Sequence, residues 1–322
     1  MHSAKCLVRF ALCLFFLAAC GGNPTLSNEE QAQRDSAALH VALMPVHDCF
    51  PAFYAQRMGI YDRLGLDLRI LTLQAQLDTD TALMRGRADL IYSDLARAIF
   101  MQQDTTPLRA VAATEGTLQL ITARRGRVRQ LNQLKERMVA VARHSITDYW
   151  SDRLTDTASM ARADIFRPQI NNVRIRTDML CNGTMDAAFL PSPFAEEALL
   201  RGNTWNFTTQ QLSPRLTAFV ASEEAANDTT RQRQMRLFFQ GYDEAVEALN
   251  KGGIQDTLVA MYKQLFLTPD TLIDTLLRAT PRYTPLRAPR QSDAEAALQW
   301  LKSRGKVKKG YSADSLLMPL TR

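Results

Sequence analysis

Residues 41–94 constrain the fold more than any other part of the 322-residue chain. A short apolar run, Val41-Ala42-Leu43-Met44, stops at Pro45, and the polar loop Val46-His47-Asp48-Cys49 follows. Residues 50–61 read as a helix closed by a glycine, and residues 66–73 read as a strand. A polar loop and a short helix lead to Arg85-Gly86-Arg87-Ala88-Asp89. A third apolar run, Leu90-Ile91-Tyr92, ends at Ser93-Asp94. This order of strand, helix, strand, helix, strand predicts a parallel sheet with crossover helices. Each strand ends in polar residues, and in open α/β sheets ligands sit beyond those C-terminal ends.

The outline repeats. Residues 108–114 form a further strand, Glu115-Gly116-Thr117 breaks it, and residues 118–122 resume, which reads as a passage between domains. A second α/β unit starts at Gln130. It has a strand over 138–142, the loop Arg143-His144-Ser145-Ile146-Thr147-Asp148, and a helix over 148–161 for which Ser145 or Thr147 is the N-cap. Residues 170–175 read as a strand, 177–182 as a helix and 186–190 as a strand ending at Pro191-Ser192-Pro193. Residues 85–94 and 182–191 occupy matching places: helix end, Gly, Asp, apolar strand, then a polar or Pro-rich loop. Two similar lobes in a chain longer than one core supports imply a cleft between them. After a strand over 216–221 the chain is helical. Residues 228–250 form one long helix with Met235, Leu237, Phe238, Tyr242, Val246 and Leu249 on one face, stopped at Lys251-Gly252-Gly253. Helices over 254–266, 269–279 and 292–303 return to the first lobe.

The N-terminus reads as a targeting segment. Lys5 and Arg9 precede an apolar run over 10–19 that is too short to span a bilayer. It ends Leu17-Ala18-Ala19-Cys20-Gly21-Gly22, which resembles the bacterial lipobox. That resemblance implies removal of residues 1–19, lipid on Cys20, and a polar tether over 20–38. Cys49 and Cys181 then remain, in different halves of the chain, and read as two free, mostly buried thiols. Two Cys and scattered His (His40, His47, His144) make no metal motif, and no cofactor is expected. The net charge is +6. Its clusters, at Arg124, Arg125, Arg127 and Arg129 and over 302–309, read as solvated surface. No aromatic residue is interleaved with the Arg cluster, which argues against nucleic acid.

Three stretches carry a resemblance to a known family. They are Phe50-Pro51-Ala52-Phe53-Tyr54-Ala55 through Gly59-Ile60-Tyr61 to Gly65-Leu66-Asp67-Leu68, then Ala82-Leu83-Met84-Arg85-Gly86-Arg87-Ala88-Asp89, then Asn182-Gly183-Thr184-Met185-Asp186-Ala187 to Pro191-Ser192-Pro193. In this order, behind a lipobox, they resemble the periplasmic substrate-binding proteins of ABC importers, in the branch serving sulfonates, nitrate, taurine and thiamine-precursor pyrimidines. The resemblance implies an α/β, two-lobed periplasmic-binding-protein fold (type II) with the C-terminal helices on the first lobe. Lobe 1 would be 39–114 plus 216–322 and lobe 2 would be 115–215. It implies a protein held by lipid on the periplasmic side of the cell membrane. Such a protein delivers a small ligand to an ABC permease whose partner ATPase supplies the energy.

Carried onto this chain, the resemblance places the ligand among the strand-end loops. The candidates are Pro45, His47, Asp48 and Cys49, then Gln76 and Asp78, then Ser93 and Asp94. Thr114 sits at the crossover, with Glu115 beside it. Ser145, Thr147 and Asp148 come from the second lobe, with Pro191 and Ser192. Sulfonate binders favour Ser, Thr and Gly with free N–H groups at helix N-termini. Here His47, Asp48, Asp94 and Asp148 stand instead, which predicts a neutral or cationic ligand such as a pyrimidine. Asp94 reads first as an N-cap of a helix over 95–102 and second as a partner of a ligand amine. The same fold includes enzymes of pyrimidine and menaquinone biosynthesis. This chain lacks the Cys-rich iron motif of the pyrimidine synthases, and His144-Ser145 sits in no Gly-x-Ser-x-Gly elbow. A lipoprotein that signals without transport is a further alternative.

Overall fold

A computed structural model of the chain describes residues 35–103 and 106–320. The signal segment, Cys20 and the tether up to residue 34 lie outside the described residues.

The first unit runs β1 (Leu39–Leu43), α1 (Phe50–Arg57), α2 (Ile60–Arg63), β2 (Leu68–Thr72), α3 (Gln76–Met84), β3 (Leu90–Asp94), α4 (Leu95–Gln102) and β4 (Leu108–Ala113). The single helix expected over 50–61 is two helices. Gly59 takes φ 66°, the left-handed region that favours glycine, and breaks it. The chain then enters a second sheet with β5 (Gln119–Thr122), β6 (Val139–Ala140), α5 (Ile146–Thr157), α6 (Val173–Cys181), β7 (Ala187–Leu190), α7 (Phe194–Leu200) and β8 (Thr204–Thr208).

Two readings of this second unit need correction. Residues 170–175 are not a strand: Asn172 Oδ1 accepts from Ile175 N at 3.0 Å and starts α6. The β-branched pair Val173 and Ile175 gave a strand signal that the N-cap overrides. The strand β8 was not expected, because Thr204 and Trp205 face solvent and leave no buried alternation to read.

The chain returns through β9 (Thr217–Ser222) and ends in α8 (Glu223–Asn227), α9 (Thr229–Asn250), α10 (Gln255–Phe266), α11 (Asp270–Ala279) and α12 (Gln291–Ser303). The first sheet has strand order β2-β1-β3-β9-β4 and the second β6-β7-β5-β8. Both are mixed. β1 pairs parallel with β2 and β3, but β9 runs antiparallel between β3 and β4. β6 pairs parallel with β7, and β5 runs antiparallel to β7 and β8. The antiparallel members are the strands that carry the chain into or out of a sheet.

Strand alternation fills both faces of the first sheet. In β9, Phe219 and Ala221 join one apolar cluster and Ala218 and Val220 the other. Helix α9 covers the first face with Met235, Phe238, Tyr242, Val246 and Leu249, spaced by three or four residues. Burying five such side chains stabilises the fold by roughly 10 kcal/mol before chain entropy is counted. α9 approaches so closely that a Cβ on Gly241 would stand 2.4 Å from the Tyr61 ring. Leu298 and Leu301 of α12 pack on the opposite face, beside Leu95 and Ile99 of α4.

The C-terminal helices also reach across. Phe266 at the end of α10 stacks 5.6 Å from Phe50 of the first lobe and stands edge-on, 5.9 Å from Phe194 of the second. Trp300 Nε1 of α12 donates to Asp152 Oδ2 of α5 at 2.8 Å, and Arg304 pairs with Asp148 at 2.9 Å.

Candidate ligand-binding cleft

The C-terminal ends of the parallel β1 and β3 meet that of β7 around a cavity of about 60 Å³. The lobes touch around it. His47 N donates to Ser192 O at 3.0 Å, Ala75 and Asn172 form an isolated antiparallel bridge, and Ile146 N donates to Asp94 Oδ2 at 3.1 Å. Each contact joins a first-lobe residue at a strand or helix end to one on the second lobe.

Eight sequence candidates line the cavity: His47, Asp48, Gln76, Ser93, Asp94, Thr147, Pro191 and Ser192. Pro45, Cys49, Asp78, Thr114, Ser145 and Asp148 do not. Asp78 is exposed on the outer face of α3. Cys49 is fully buried behind Asp48, and burial pushes its thiol well above its ordinary range. Ser145 is spent as the N-cap of α5: its Oγ accepts from Thr147 N at 3.2 Å and donates to Ala142 O at 2.7 Å. Asp148 accepts from His144 N at 2.9 Å and faces Arg304. Glu115 pairs with Arg215 and Arg287 at the crossover.

The carboxylates that do line the cavity already take hydrogen bonds within the protein. Asp94 accepts from Arg97 N at 2.8 Å, Gln76 Nε2 at 2.9 Å and Ile146 N, so it caps α4 and α5 together. Burial raises its pKa, with the Gln76 hydrogen bond the largest opposing effect. Asp48 accepts from Tyr92 Oη at 2.9 Å and from the Thr114 hydroxyl, while Tyr242 Oη holds its main-chain oxygen at 2.9 Å. With its one proton given to Asp48, the Thr114 hydroxyl oxygen accepts from Thr217 Oγ1 at 2.7 Å. Both oxygens of Asp94 are thus taken, whereas both bonds to the Asp48 carboxylate go to Oδ2 and its Oδ1 takes none among the described residues.

The sequence reading missed Arg176. It lies on α6, is 3% exposed and lines the cavity. Among the described residues no hydrogen bond or ion pair reaches its guanidinium, and its Nε and Nη1 are buried without a partner. Burial alone pulls it down to about 10, so it stays protonated at neutral pH. The signal was present. The buried residues of α6 are Val173, Arg176, Thr177 and Leu180, a helical stripe with a charge in it. Reading residues 170–175 as a strand hid that stripe.

His47 stands nearby, stacked on Tyr283 with ring centroids 4.2 Å apart and planes 9° apart. Burial lowers its pKa despite the opposing Asp48 charge, which favours neutral imidazole, and its Nδ1 has no partner. Much of the rest of the lining is apolar, from Met44, Val46, Leu118, Ile146 and Val173.

Among the described residues no group of three or more His, Cys, Asp or Glu is placed to hold a metal ion. None of their helices is long and apolar enough to cross a membrane.

The family model described as NMT1/THI5 like matches residues 47–247. No curated protein matches the chain in sequence. The fold is that of solved binding proteins. The alkanesulfonate-binding protein SsuA from Xanthomonas axonopodis pv. citri, bound to MOPS, is similar at TM-score 0.74 and 15% identity, over 88% of this chain and 98% of that one. The ligand-binding component of an ABC-type import system from Staphylococcus aureus, with zinc bound, is similar at TM-score 0.67 and 14% identity, over 88% and 96%. The fold also carries catalysis: the desulfurization enzyme DSZB is similar at TM-score 0.60 and 12% identity, over 88% and 96%.

Proposed function

The chain belongs to the NMT1/THI5-like family, and from that premise we propose that it is the substrate-binding component of an ABC import system for a small solute. The observation that carries this reading is the cleft: strand ends of both lobes meet around one cavity, joined by hydrogen bonds that a lobe movement would break. A ligand bridging the two faces favours the closed form by its differential affinity. The similarity in fold to an ABC-type import component supports the assignment. The lobes, 39–114 plus 216–322 and 115–215, move about the two crossovers. Lipid on Cys20 holds the chain at the periplasmic side of the membrane, where the closed form docks on a permease driven by a separate ATPase.

An enzymatic role has less support. Cys49, the one cysteine in the cleft loops, is fully buried with its thiol pushed well up. His144-Ser145 is spent in turn and cap geometry.

The experiment is a thermal-shift screen of the full-length chain against pyrimidines, thiamine precursors, sulfonates, carboxylates, nitrate and small amines. A true ligand at a hundredfold excess over its dissociation constant stabilises the native state by about 2.7 kcal/mol. It should also compact the protein in small-angle scattering. Binding without compaction, or turnover of the bound compound, would contradict the reading. Cys20→Ser should release the protein from the membrane fraction, and retention there would rule out the lipid anchor.

A further inference from the structure

We propose that the ligand is a small organic anion and that Arg176 is its counter-ion. This rests on the cleft being the ligand site. A buried cation is costly unless paired, and native proteins pair it with a carboxylate or a bound anion. Arg176 has neither among the described residues, although it lines the cavity. The cavity carboxylates do not serve. Asp48 is held by Tyr92 and Thr114, and Asp94 by Gln76 and two main-chain N–H groups. Both belong to the opposite lobe, so an anion bound to Arg176 would meet the first lobe across the cleft.

The surroundings narrow the ligand further. With Met44, Val46, Leu118, Ile146 and Val173 in the lining, the ligand pairs one charged head with a short apolar body. A cavity of about 60 Å³ admits a handful of non-hydrogen atoms, given that one water needs about 10–15 Å³. One unpaired cation among the described residues of the lining matches one negative charge. A carboxylate and a sulfonate share this chemistry, and both suit the planar fork of Arg.

The test measures melting of the full-length wild type, Arg176→Met and Arg176→Lys. The probes are propionate, ethanesulfonate, propylamine and 4-amino-5-hydroxymethyl-2-methylpyrimidine. Propionate or ethanesulfonate should raise the wild-type melting temperature, and the larger shift identifies the head group. Arg176→Met should bind that anion about 100-fold more weakly. Arg176→Lys should retain part of the affinity. Without ligand, Arg176→Met should melt about 2 °C or more above wild type, because an unpaired buried charge is gone.

Anion binding undiminished in Arg176→Met would overturn the inference. So would a lower melting temperature of that variant without ligand, which would make Arg176 a structural residue. A shift with the pyrimidine or propylamine and none with the anions would overturn the inference while leaving the binding-protein reading intact. No shift with any of the four probes would overturn the inference, and the wider screen would then decide the binding-protein reading.

Discussion

The two faces of the cleft are built from similar strand-helix units but treat their polar groups in opposite ways. On the first lobe, Asp48 and Asp94 are bonded within the protein, to Tyr92 and Thr114 and to the starts of two helices. On the second lobe, Ser145 and Asp148 are likewise spent, yet Arg176 is buried without a partner among the described residues. The difference separates polar residues that shape a cleft from those that face its contents. A carboxylate at a strand end is first a cap for the next helix. A buried charge whose partners are missing marks the ligand, and among the described lining residues that charge is Arg176, with the neutral His47 Nδ1 the unpartnered atom on the facing lobe.

Asp94→Ala gives the largest expected effect. Three donors lose their acceptor at once, and stability to urea should fall by about 4 kcal/mol. Unchanged stability with lost ligand affinity would move Asp94 to the ligand side and erase the contrast between the faces.

Asp80 sharpens the contrast away from the cavity. Burial pushes it up to about 6 from 3.8, against the pull of Arg97. A carboxyl raised on folding contributes stability that is full below about pH 4 and is lost as pH rises through about 6. Its share is about 3 kcal/mol. Denaturation of wild type and Asp80→Asn between pH 4 and 7 should show that slope in the first and its loss in the second. Parallel curves would mean that Arg97 compensates the charge fully.

Ser145→Ala is the smallest change. Loss of the α5 cap should cost about 1 kcal/mol and leave ligand affinity untouched. A fall in affinity without a fall in stability would return Ser145 to the ligand shell.

Much of the fold was legible because periodicity and punctuation agree there. The strand starting near Leu90 follows a Gly and an Asp, and residues 95–102 form the helix that Asp94 was expected to cap. α9 ends at the expected Gly pair. Legibility failed where a local signal competed with a cap, as at Val173 to Ile175, or where an edge strand faces water, as at Thr204 and Trp205. The site was legible as a set of loops but not as chemistry. Sequence shows that Asp48 and Asp94 are acidic, not that Tyr92, Thr114 and Gln76 will occupy them, since those partners come from distant positions. Arg176 is one basic residue among 39 and stands out only once its helix is in register.

The most direct measurement is a crystal structure of the protein with the anion that most raises its melting temperature. The predicted result is lobes closed on the anion, with its oxygens within hydrogen-bond distance of the Arg176 guanidinium and Asp94 still capping both helices. An anion bound outside the cleft, or within it against first-lobe groups while Arg176 stays unpaired, would contradict it.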